Sequence, residues 1–115
     1  MIRRPWPPQP PQVRAVAAQL SAAYNAALAQ VLGRLEQQLP GTRIVRFDVY
    51  ALLNSVVATP SLYGIVNTTA PCLSFGVVAD AICRDPWRYV FWDAVHPTAA
   101  VHRILAEHAL ATVAP

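Results

Sequence analysis

Tyr89-Val90-Phe91-Trp92-Asp93-Ala94-Val95-His96-Pro97-Thr98 decides what kind of domain this chain builds. Its first four residues are β-branched or aromatic, as a strand requires. Asp93 and His96 follow three residues apart. Pro97-Thr98 then opens a helix whose apolar residues include Ile104, Leu105 and Leu110. Proline has a φ suited to a first helical turn and biases the residue before it, His96, toward extended geometry. A histidine acting as general base needs one ring nitrogen free toward a nucleophile and the other donating to a carboxylate. Three residues along a tight turn bring such a carboxylate within reach, so Asp93 and His96 are the candidate catalytic residues. On spacing alone, a turn aspartate beside a surface histidine competes with that reading.

Upstream, Val13, Val16, Leu20, Tyr24, Ala27, Val31, Leu35 and Leu39 recur at spacings of three and four, while Arg14, Gln19, Asn25, Gln30, Arg34 and Gln37 fall opposite. That period predicts an amphipathic helix from about 12 to 39, stopped by Pro40-Gly41. Arg43-Ile44-Val45-Arg46-Phe47 reads as a short strand. Asp48 is expected to cap a second helix, with Val49, Leu52, Leu53, Val56 and Val57 as its apolar stripe and Thr59-Pro60 as its end. Residues 61–86, with Gly64, Asn67-Thr68-Thr69, Pro71 and Gly76, show no clear period and read as an irregular excursion pinned by Cys72 and Cys83. Helix, strand and helix in succession point to an α/β domain with a parallel sheet. A strand without a partner leaves unpaired backbone groups, so the chain is expected to be an incomplete domain.

The 115 residues are 55% hydrophobic and 13% charged, which is material for a core and excludes disorder over most of the length. The net charge of +3 comes from scattered arginines with no lysine, and no basic run interleaves with aromatics, so a nucleic-acid partner is not expected. No contiguous run approaches the roughly 18 apolar residues of a membrane span, and no transmembrane segment is expected. Residues 1–11 contain Arg3-Arg4 and then Pro5, Pro7, Pro8, Pro10 and Pro11. They lack the apolar stretch of a signal peptide and read as a flexible proline-rich leader. Ten residues separate Cys72 from Cys83. That gap is longer than zinc-site spacings, and a disulfide closing a surface loop is preferred over two buried free thiols. His102 and His108, six apart on the last helix, default to surface histidines. Trp87, Tyr89, Phe91 and Trp92 default to core packing over a substrate platform.

Phe91-Trp92-Asp93-Ala94-Val95-His96-Pro97-Thr98 resembles the last sequence block of the GDSL, or SGNH, hydrolases. The similarity extends to Leu20-Ser21-Ala22-Ala23-Tyr24-Asn25-Ala26-Ala27-Leu28, Phe47-Asp48-Val49-Tyr50, Pro60-Ser61-Leu62-Tyr63-Gly64, Asn67-Thr68-Thr69-Ala70-Pro71-Cys72-Leu73 and Asp85-Pro86-Trp87-Arg88. The chain looks most like secreted phospholipase/lecithinase-type esterases of bacteria and GDSL lipases of plants. The resemblance implies that residues 12–115 form the C-terminal half of a flavodoxin-like three-layer α/β/α sandwich. It implies that Asp93 and His96 belong to a Ser-His-Asp triad hydrolysing esters or lipids without a cofactor or metal, in a secreted or periplasmic parent. Aromatic residues beside the block would then border the acyl pocket.

The family's nucleophile lies in a Gly-Asp-Ser block, and here none of Ser21, Ser55, Ser61 and Ser74 follows Gly-Asp. Asn25, Asn54 and Asn67 match other parts of the family, so no oxyanion donor is identified either. The isolated chain is therefore expected to be inactive: a truncated gene product, a cleaved fragment, an interaction module, or one chain of a heteromeric esterase.

Overall fold

The structure, a computed structural model, describes residues 10–74 and 81–115; most of the expected leader and the middle of the cysteine-bounded loop lie outside the described residues. The chain divides into two compact units, Pro8–Arg46 and Phe47–Pro115.

The first unit is dominated by α1 (Pro11–Gln38). Pro11, read from sequence as the end of the leader, occupies the first turn instead, where a missing N–H costs nothing. At the far end Leu39 N–H bonds the Leu35 carbonyl and Pro40-Gly41 turns the chain away. Arg46 returns to the helix through a two-pronged ion pair, its Nε and Nη2 donating to Glu36 Oε1 and Oε2 at 3.1 and 2.9 Å. Both side chains are exposed, so the pair contributes at most about 1 kcal/mol. No residue of α1 is buried.

One expectation fails in this region. Residues 42–48 form no strand, because among the described residues no second strand pairs with Arg43–Phe47. By length and composition α1 is long and apolar enough to cross a membrane. Alanines raise its average between Arg14 and Arg34, and core helices of soluble proteins pass the same test.

The second unit begins with α2 (Val49–Ala58), whose N-cap Asp48 accepts the Ala51 N–H at 2.8 Å. A 3-10 turn (Pro60–Tyr63) follows and closes on Gly64, whose φ of 69° suits a residue without Cβ. Then come β1 (Asn67–Pro71), a second 3-10 turn (Pro86–Arg88), β2 (Tyr89–Phe91) and α3 (Ala99–Val113). β1 and β2 pair in parallel, with Asn67 opposite Tyr89 and Pro71 opposite Phe91. Val66 N–H to Arg88 O, Cys72 N–H to Phe91 O and Leu73 N–H to Trp92 O extend the pairing at both ends.

β1 corrects the reading of 61–86 as wholly irregular. Asn67 keeps turn-like behaviour, its Oδ1 accepting the N–H groups of Thr69 and Ala70, and the register is irregular between Asn67 and Pro71, but β2 supplies the ladder partner that makes the segment a strand. Just beyond β1, Cys72 is disulfide-bonded to Cys83, with Cys83 N–H on the Cys72 carbonyl and Ser74 N–H on Ala81 O. Closing a loop of this size stabilises the fold by about 3 kcal/mol.

The core joins Leu52 and Val56 of α2, Ile65, Val90 of β2, and Val101 and Ile104 of α3. The helical members are spaced four and three apart, so each pair shares one helix face. This core holds β2 and α3 together, and the segment between them carries Asp93 and His96.

Candidate active site

β2 ends at Phe91, α3 begins at Ala99, and residues 92–98 turn back between them. Trp92 N–H donates to the His96 carbonyl at 2.8 Å, Phe91 and Pro97 form an antiparallel bridge, and Thr98 N–H bonds Val90 O at 2.9 Å. Asp93 closes the tip of this loop. Its Oδ1 accepts the backbone N–H groups of Val95 at 2.8 Å and His96 at 2.6 Å, and its Oδ2 meets His96 Nδ1 at 2.8 Å. One carboxylate thus fixes both the backbone and the ring of the histidine.

The His96 and Val95 amides, followed by the His96 ring, hold the Asp93 carboxyl down from 3.8 to about 2. Asp93 is therefore ionised at neutral pH and can only accept. The proton between the two side chains sits on His96 Nδ1, which leaves the lone pair on Nε2. The His96 side chain is 72% exposed, and among the described residues Nε2 has no hydrogen-bond partner. A positioned imidazole with its basic nitrogen facing outward can accept a proton from a hydroxyl and return it.

Beside this loop lies a groove of about 650 Å³, walled by Pro86, Trp87, Trp92, Pro97, Ala99 and Arg103. Trp87 is 60% exposed, so the expectation that it packs in the core is wrong. In the triplet Pro86–Arg88 the 3-10 turn carries the indole away from the core, and Val90 is the residue of β2 that the core takes up. Phe91 is half-buried and packs against the core as expected. Sequence reasoning placed Trp92 in the core, and it too borders the groove.

The remaining polar candidates do not join the site. Ser55 shares a hydrogen bond with the Tyr63 hydroxyl at 2.9 Å, and Ser21 lies within α1. Among the described residues no serine bonds His96. His102 and His108 are exposed on α3, and no metal-ligating cluster occurs among the described residues. Sequence reasoning took Thr98 as the opening of the last helix and missed that it is buried and anchors the returning chain.

The family model described as GDSL-like lipase/acylhydrolase matches residues 3–109. Among curated proteins of Arabidopsis thaliana, a GDSL esterase/lipase is 34% identical over 98 residues, covering 78% of this chain and 27% of its own length. GDSL esterase/lipase 7 is 33% identical over 93 residues, with 74% of this chain and 26% of the relative covered. An anther-specific proline-rich protein is 31% identical over 94 residues, covering 74% and 18%. The chain thus spans about a quarter or less of the length of these relatives.

Proposed function

The chain belongs to the GDSL-like lipase/acylhydrolase family, and we propose that it is the C-terminal, base-carrying part of a three-layer α/β/α serine ester hydrolase. The observation that carries this reading is the Asp93–His96 pair, with Nδ1 held at 2.8 Å by an ionised carboxylate and Nε2 open. In the completed enzyme, His96 Nε2 takes the proton of a serine hydroxyl as its oxygen attacks the ester carbonyl. The C–O bond to the alcohol then breaks, and His96 gives the proton to the departing alkoxide, which leaves an acyl-enzyme. Water, deprotonated by the same nitrogen, releases the acid. Asp93 holds the ring in the required tautomer and stabilises the imidazolium formed at each step.

This sequence contains no Gly-Asp-Ser, so the serine and its oxyanion donors come from another polypeptide segment. The apolar groove bordered by Trp92 and Pro97 of the same loop supports an acyl or lipid substrate, whose hydrocarbon its indole and proline walls would cover. The disulfide fits action in an oxidising compartment such as the periplasm or the extracellular space.

The test is a chimera in which residues 12–115 replace the matching C-terminal region of the 34%-identical Arabidopsis esterase/lipase. Hydrolysis of short-chain nitrophenyl esters is expected from the chimera, with a loss of about a thousandfold or more in His96→Ala. The chain by itself should show none above background. A folded chimera without turnover, or one indifferent to His96→Ala, refutes the reading. Turnover by the isolated chain that vanishes in His96→Ala would demand a nucleophile within these residues.

A further inference from the structure

Thr98 is the one buried polar residue among those described, 2% exposed in an otherwise apolar core. A hydroxyl in such a place is costly unless its hydrogen bonds are made. It makes two. Oγ1 donates to the Tyr89 carbonyl at 2.7 Å, and it accepts the Val101 N–H of the first turn of α3 at 3.4 Å. The backbone adds a third tie, Thr98 N–H to Val90 O at 2.9 Å. One residue therefore joins the start of β2, the middle of β2 and the N-terminus of α3.

Capping α3 requires only the acceptor role. The donor role does something else, since it pins the returning end of the 92–98 loop against the strand from which that loop departs. Between the two ends, the Trp92–His96 backbone bond and the Asp93 carboxylate set the orientation of the imidazole. The loop tip is exposed and has no core contacts of its own, so its geometry depends on how firmly its base is held.

We propose that Thr98 is a positioning residue for the Asp93–His96 pair, acting through its hydroxyl bond to Tyr89 and not merely as the cap of α3. The functional meaning of the pair rests on the hydrolase reading above. The effect on its geometry is measured on the chain as it stands, without turnover, so the two readings fail separately.

The experiment follows the Asp93 carboxylate by carbon-13 NMR titration and the Val95 and His96 amides by hydrogen exchange. In Thr98→Val, which keeps the shape and loses the hydroxyl, Asp93 should titrate upward from about 2 toward 3.8. The two amides should exchange up to roughly tenfold faster, the scale of one lost hydrogen bond. Thr98→Ser should restore both wild-type values. Asp48→Ala, which uncaps α2 instead, should leave Asp93 unmoved. If Thr98→Val does not fold, the smaller Thr98→Ala is read the same way. Three results overturn the proposal: Asp93 staying at about 2 in a folded hydroxyl-free variant, failure of Thr98→Ser to restore it, or an equal shift in Asp48→Ala.

Discussion

α1 and α3 are both helices with apolar residues at spacings of three and four, yet they behave as opposites. α3 buries Val101 completely and Ile104 nearly so, against α2 and β2. α1 is almost twice as long and buries nothing: Val16, Leu20, Tyr24 and Val31 all remain about half exposed or more. The lesson concerns what amphipathic periodicity guarantees. It selects helix because side chains three and four apart fall on one face, whereas burial depends on whether another surface meets that face. The energetic value of an apolar residue is therefore carried by its partners and not by its position in the pattern.

The sharpest way to break this contrast is Val56→Asp. Val56 is fully buried at the centre of the second unit's core, and an unpaired charge there costs about 3–5 kcal/mol or more. Loss of the cooperative thermal transition of the Phe47–Pro115 unit is expected by circular dichroism. A variant that melts like the wild type would show that the core is not where the stability lies.

A smaller effect tests the loop that the core holds in place. The folded-state pKa of Asp93 is depressed, so the stability it contributes is present above the unfolded value of 3.8 and is lost as pH falls through about 2. Between pH 4 and 2, denaturant midpoints of the wild type should therefore fall more steeply than those of Asp93→Asn. Parallel curves would mean that the carboxylate makes none of its three bonds in solution.

The smallest expected effect is at Leu20→Ser on α1. Leu20 is 66% exposed, and the change should stay within about 0.5 kcal/mol in urea denaturation. A loss of 2 kcal/mol or more would place Leu20 in a contact and erase the contrast between the two helices.

The candidate site was more legible in the sequence than the sheet was. Asp93, His96, Pro97 and Thr98 lie within six positions of one another, so local spacing and a local cap describe most of the loop. β1 escaped notice because Asn67 and Pro71 are poor strand formers and only the non-local ladder to Tyr89 and Phe91 makes them a strand. Arg43–Phe47 failed in the other direction. Its β-branched residues favour extended backbone, but no neighbour completes a ladder among the described residues.

Short-range order was therefore settled by the sequence itself. The periods of α1, α2 and α3, the caps at Asp48 and Thr98, the stop at Pro40-Gly41 and the three-residue reach from Asp93 to His96 all depend on neighbours along the chain. The tertiary structure alone decided which apolar faces are covered, that Trp87 faces a groove, that β1 pairs with β2, and that the Thr98 hydroxyl reaches back to Tyr89. These depend on groups distant in sequence, whose meeting costs chain entropy that only the assembled core offsets.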